Sequence, residues 1–167
     1  MRSDAFGSRT ALFIPLLGPS HPRPSMYQSP MPPAEDIPRY LRERGITPTN
    51  QRVRLARAIF ARPQHFSADQ LLATANQDGQ RVSKATIYNT LDLFVRKGLV
   101  RELIIDASRV FYDSTTRPHY HFYDPLTQQL VDVAPEEMRL SLPTKLPAGK
   151  EITGVEVVIH LRQKNNG

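Results

Sequence analysis

The sequence predicts an α+β chain with a helical front and a strand-rich back, and three observations carry that reading. Between residues 35 and 97, apolar residues recur at helical spacing in several segments, each opened or closed by a capping residue. A hairpin pattern follows over 99–112, and beyond Asp113 the apolar period shortens to two. Charge divides in the same place: residues 1–100 hold 14 Lys and Arg against 7 Asp and Glu, whereas residues 101–167 hold 8 against 9. A basic front suits a polyanion, and ordinary solubility charge explains it equally well until a motif is found.

A chain of 167 residues accommodates one ordinary domain or two small ones. It has no cysteine, which excludes disulfides, a thiolate nucleophile, a Cys-ligated structural zinc and an iron–sulfur cluster. No apolar run approaches the ~20 residues that span a bilayer, so no membrane partner is expected. Residues 11–17 mimic a short signal peptide, but Pro15 interrupts them and Gly18-Pro19-Ser20-His21-Pro22 is a poor cleavage site. The expected location is therefore cytoplasmic. Seven prolines within residues 1–34 block helix and central strand, which reads as a disordered tail, with Met26 and Met31 as further candidate start sites.

The elements follow in order. Residues 37–44 suit a short helix closed by Gly45. Thr49 caps a second helix running through Phe60, with Val53, Leu55, Ala56, Ile59 and Phe60 as its apolar stripe. Ser67 caps a third over 68–76, with Asp69 near its positive end. Ser83 caps a fourth that runs to about Lys97, burying Ile87, Leu91, Phe94 and Val95 and ending at Gly98. Residues 99–105 and 109–112 read as two strands joined by Asp106-Ala107-Ser108. Three helices, a presented basic helix and a hairpin form the order of a winged helix-turn-helix, whose last helix enters a major groove. Further on, residues 120–123, 130–133 and 155–162 read as strands and 135–140 as a short helix. In the last strand Val155, Val157, Ile159 and Leu161 alternate with Glu156, Val158, His160 and Arg162. This back unit is small and would borrow surface from a second copy. The expected organisation is a tail at 1–34, a winged helix at 35–112, a hinge at 113–117 and a small α/β dimerisation domain at 118–167.

Two sets of residues carry chemistry. The polar face of the fourth helix, with Ser83, Lys84, Thr86, Tyr88 and Asn89, can meet DNA: Asn reads adenine and Tyr a thymine methyl or a phosphate. Arg52, Arg54, Arg57 and Arg96 could neutralise phosphates, although Arg52 could instead hold helices together. A solvated helix face is the bland alternative. The run His119-Tyr120-His121 places two imidazoles on one strand face, and imidazole suits iron, manganese, cobalt or zinc. Such pairs also occur as plain surface. Asp132, on the next strand, is a weaker candidate to ligate or to orient a ligand. His160 reads as an ordinary exposed residue, and His21 carries no case.

Three stretches together resemble the ferric uptake regulator family of metal-responsive repressors. They are Gly45-Ile46-Thr47-Pro48-Thr49-Asn50-Gln51-Arg52, His65-Phe66-Ser67-Ala68-Asp69-Gln70-Leu71 and Val82-Ser83-Lys84-Ala85-Thr86-Ile87-Tyr88-Asn89-Thr90-Leu91. The third is similar to that family's recognition helix. The ending from Leu146-Pro147-Ala148-Gly149-Lys150 to His160-Leu161-Arg162 is similar to the iron response regulator branch, which controls iron metabolism through haem. The resemblance implies a homodimer on a palindromic operator and a regulatory site made of His65, Asp113, His119 and His121. That site would hold Fe(II), Mn(II) or haem. The family's Cys-x-x-Cys zinc pair and the branch's Gly-Cys-Pro haem motif are absent, and Thr47 or Pro48 stands where relatives often place a minor-groove Lys.

No Gly-rich phosphate loop, Gly-x-Ser-x-Gly elbow or His-Glu-x-x-His helix occurs, so no enzyme is expected. The expected function is a homodimeric, sequence-specific regulator, in the repressor sense, that answers to iron or haem. The alternatives are a ligand-independent winged-helix DNA-binding protein with a vestigial metal site, and a dimeric protein-interaction module.

Overall fold

The computed structural model describes residues 31–164 apart from 78, 80, 107 and 144. Most of the expected tail, with His21, lies outside the described residues. The chain divides into two compact units, Pro24–Pro118 and a second built on His119–Gly167.

The first unit carries four helices and a three-stranded sheet: α1 Ile37–Glu43, α2 Asn50–Phe60, β1 His65–Phe66, α3 Ala68–Ala75, α4 Lys84–Arg96, β2 Arg101–Asp106 and β3 Arg109–Asp113. Pro38 sits in the first turn of α1, where a missing N–H leaves no intrahelical bond unmade. Three polar side chains start the other helices. Thr49 and Ser83 accept from the N–H groups of Arg52 and Thr86, and Ser67 and Gln70 form a reciprocal capping box. Gly45 and Gly98 stop α1 and α4 in the left-handed region, at φ 68° and 66°. There the Ile46 N–H reaches Leu41 O at 3.0 Å and the Leu99 N–H reaches Phe94 O at 2.9 Å, which satisfies carbonyls that the helix end would leave open.

The stripes these caps orient converge on one core. Leu41, Leu55, Ile59, Ile87, Leu91 and Phe94 are fully buried, and Phe60 and Phe94 stack with ring centroids 6.3 Å apart. The sheet order is β1-β3-β2, both pairs antiparallel. Phe66 stacks on Tyr112 across the β1–β3 pair, which fastens the edge strand to the hairpin.

The second unit is a sheet of order β5-β4-β6, made of β4 Tyr120–Asp124, β5 Gln129–Val133 and β6 Val158–His160. Strand β5 runs antiparallel and β6 parallel to the central β4. Tyr123 and Val133 are its buried hydrophobic residues, while Leu126, Val131, Leu140, Leu142, Leu146, Ile152, Val155 and Leu161 are exposed.

The helices and sheet of the first unit and the sheet of the second together make an α+β architecture, and four local expectations are corrected. Residues 65 and 66, which no expected element covered, form a strand, because β3 offers a free edge and a two-residue strand is too short to show a period. Asp113, expected at a hinge, is the last residue of β3, paired with His65 and Arg101. The helix expected over 135–140 is a single 3-10 turn, Pro135–Glu137. The strand expected over 155–162 shortens to three residues, since alternation is a pattern of side chains and pairing needs a partner backbone along the whole run.

Candidate functional site

Helix α4 presents the residues expected at DNA. Ile87, Leu91 and Phe94 anchor its inner face, which leaves Lys84, Tyr88 and Asn89 exposed on the other. Tyr88 is 44% exposed, with its ring open to a partner on the outer face of the helix. The Lys84 ammonium lies 5.9 Å from its centroid and 3.0 Å from the Asp69 carboxylate of α3. Asp69, through its hydrogen bond first and its charge second, raises the Lys84 pKa above the usual lysine value. Ser83 and Thr86 are committed to the helix start: their hydroxyls stand 2.9 Å apart, and Ser83 accepts the Thr86 N–H at 3.1 Å. Arg52 donates to the Thr47 carbonyl at 3.1 Å and so braces the turn before α2.

A residue the sequence reading passed over sets where α4 begins. Asn76 closes α3, and its side chain holds both backbone groups of Val82, accepting the N–H at 2.7 Å and donating to the carbonyl at 3.2 Å. One amide thereby fixes the turn between α3 and α4. Asn so close to a turn is common enough in sequences that nothing marked it out.

The four residues expected at metal fall two in each unit. In the first unit, register places His65 of the edge strand β1 opposite Asp113 of the central strand β3. His65 Nε2 and Asp113 Oδ1 are 3.8 Å apart, with Asp113 fully buried. Gln64 holds β1 there: its side chain donates to the Ala58 and Ile59 carbonyls at 2.8 Å each, and its backbone N–H donates to Ser114 Oγ at 2.9 Å. The Thr115 N–H donates to Asp113 Oδ1 at 2.7 Å, which keeps the carboxylate oriented.

In the second unit, His119 and His121 lie on one face with ring centroids 4.5 Å apart, both buried. Asp132, across from His121 in the β4–β5 register, turns one oxygen to both rings, 3.5 Å from His119 Nε2 and 3.9 Å from His121 Nε2. Glu156 was read only as one position of an alternating strand. Its carboxylate approaches His121 Nδ1 to 3.4 Å. His160 is exposed, with its ring edge-on to Tyr123.

The donor chemistry of each unit fits a divalent ion. Imidazole nitrogen with carboxylate oxygen is the set that iron, manganese and zinc accept. Separations of 3.5–3.9 Å between Nε2 and carboxylate oxygen exceed an ordinary N–H···O bond. They lie near the ~3.4 Å between neighbouring ligands of a tetrahedral ion with bonds of about 2.1 Å.

Known proteins similar to this chain place it in a family. The model of the Ferric uptake regulator family matches residues 43–159. Over 92 residues the chain is 35% identical to the peroxide-responsive repressor PerR of Staphylococcus aureus, an alignment covering 55% of this chain and 62% of that protein. The chain thus spans less than two thirds of that relative's length. Among solved structures, the fold is similar to the ferric uptake regulator of Pseudomonas aeruginosa with manganese, at TM-score 0.56 and 21% identity, over 75% of this chain and 96% of that one. It is also similar to the ferric uptake regulator of Francisella tularensis with iron, at TM-score 0.57 and 19% identity, over 72% and 93%.

Proposed function

From the premise that this chain belongs to the Ferric uptake regulator family, we propose that it is a metal-responsive transcription regulator that binds an operator through α4. It acts as a homodimer on a palindromic site, one α4 per half-site, in the cytoplasm, and represses. The family is one of regulators rather than enzymes. Among the described residues, no helix is long and apolar enough to cross a membrane.

The observation that carries the proposal is the pairing of an exposed Tyr88-Asn89 face with His and carboxylate donors in both units. In this reading His65 and Asp113 from one unit and His119 and His121 from the other hold one Fe(II) or Mn(II), with Asp132 as a further donor. When bound, the ion would supply the positive charge that these imidazole and carboxylate donors answer. The protein's residues do the rest. Asn76 and Ser83 fix the start of α4, Lys84 meets phosphate, and Tyr88 and Asn89 read base edges. An ion preferring the DNA-competent arrangement tightens operator binding by that preference, about 1–3 kcal/mol in comparable systems.

The finer reading places the chain near the iron response regulator branch, supported by its 146–162 ending. In that version His119 or His121 would hold the haem iron, and operator binding would loosen on loading. Selecting genomic fragments on the protein, then titrating them with and without Fe(II), Mn(II) and haem, tests the proposal. Tighter binding with a bare ion supports it, and looser binding with haem alone favours the branch reading. DNA binding indifferent to all three leaves the vestigial site, and no sequence-specific binding contradicts the regulator.

A further inference from the structure

We infer that Glu156 is a positioning residue for His121, and that through it ion binding is linked to the seating of the C-terminal strand. The inference rests on the metal-binding reading above and concerns a residue outside the four proposed ligands and Asp132.

His121 is fully buried on the central strand, and its two ring nitrogens face carboxylates from the two flanking segments. Nε2 faces Asp132 of β5 at 3.9 Å, and Nδ1 faces Glu156, just ahead of β6, at 3.4 Å. A neutral imidazole has one N–H and one lone pair, and the hydrogen bond at one nitrogen decides which atom carries the proton. A carboxylate beside Nδ1 favours the Nδ1–H form, which leaves the Nε2 lone pair for an ion. A carboxylate behind a metal-bound histidine is the usual device for this.

The same glutamate sits just ahead of the shortest strand of this sheet. Strand β6 has three residues, and its neighbourhood is held to β4 through the His121 N–H to Val157 O at 3.1 Å and the Leu161 N–H to Tyr123 O at 2.8 Å. Glu156 adds a side-chain tie one residue from Val157. An ion that requires Nε2 to be open favours the chain with Glu156 in place, hence with β6 seated. By reciprocity, a seated strand raises affinity for the ion.

The test uses the full chain and three variants, Glu156→Ala, Glu156→Gln and Glu156→Asp. First, nitrogen-15 NMR of the metal-free protein, at a pH where the ring is neutral, reads the His121 tautomer. Wild type and Glu156→Gln should show Nδ1–H, because an amide oxygen also accepts that proton. Glu156→Ala, and Glu156→Asp with its shorter reach, should shift toward Nε2–H. Second, Co(II) affinity by calorimetry should fall about 10–100-fold in Glu156→Ala and Glu156→Asp and largely recover in Glu156→Gln. Third, Co(II) should slow hydrogen exchange over residues 156–162 in wild type and not in Glu156→Ala.

An unchanged tautomer in Glu156→Ala overturns the inference, as does Glu156→Gln proving as damaging as Glu156→Ala. If wild type binds no Co(II), Mn(II) or Fe(II), the metal reading fails by itself, and the metal-free tautomer still decides the role of Glu156.

Discussion

The two units solve the same problem, burying apolar surface, to very different extents. The unit ending at Pro118 seals Leu41, Leu55, Ile59, Ile87, Leu91, Phe94 and Leu103 from water, and three side-chain caps fix its helices. Among the described residues, the unit starting at His119 buries the hydrophobic Tyr123 and Val133 and leaves eight large hydrophobic side chains exposed, Leu126 to Leu161. Its best-buried polar residues are the two histidines. The contrast teaches that one unit is stabilised by its own core, whereas the other is shaped around donor atoms and an apolar surface awaiting a cover. A second copy of the chain is the proposed cover.

Mutations can break this contrast, the largest effect first. Leu91→Ala removes a fully buried side chain from the first core and should cost about 2–5 kcal/mol in denaturant unfolding. Val155→Asp is the counterpart. Val155 is 40% exposed in the single chain, so the first unit's unfolding should not change, while sedimentation should shift from dimer toward monomer. A Val155→Asp protein that stays fully dimeric would place the interface elsewhere. Next, Asn76→Ala strands the two backbone groups of Val82 and should cost about 1–3 kcal/mol of stability. Operator affinity should fall with it, since α4 loses its fixed start.

Tyr88→Ala sharpens the comparison from the DNA side. It should leave both units' folding intact while weakening specific binding by about 1–3 kcal/mol, checked by footprinting beside circular dichroism. The smallest effect is on salt. Lys84→Ala should weaken binding to every sequence alike and lower the salt slope by about one unit.

How far the sequence could be read follows the same division. In the first unit, caps and stripes are local. Thr49, Ser67, Ser83, Gly45 and Gly98 each declare a helix end through residues within one turn, and the structure places all five at those ends. Asn76 and Gln64 went unread because their partners, Val82 and Ser114, are specified by the path of the chain rather than by spacing. In the second unit, alternation over 155–162 pointed to a strand, yet pairing with β4 covers Val158–His160. Glu156 shows the limit most clearly. Period-two alternation gave it no role, and only the parallel pairing of β6 with β4 reveals that it faces a histidine 35 positions earlier. The candidate ligands His119 and His121 were visible as a pair, while His65 and Asp113 were visible through a family resemblance alone.

The central claim is that donors in both units answer to one ion, and that this ion sets DNA affinity. The most direct test is Mn(II)-dependent affinity for a selected genomic fragment in three proteins: wild type, His65→Ala, and His119→Ala with His121→Ala. The account predicts that Mn(II) tightens binding by wild type by about 5–150-fold, the usual range for allosteric coupling. Both variants should bind DNA without metal much as wild type does and gain nothing from Mn(II). A full Mn(II) response in either variant would contradict the account.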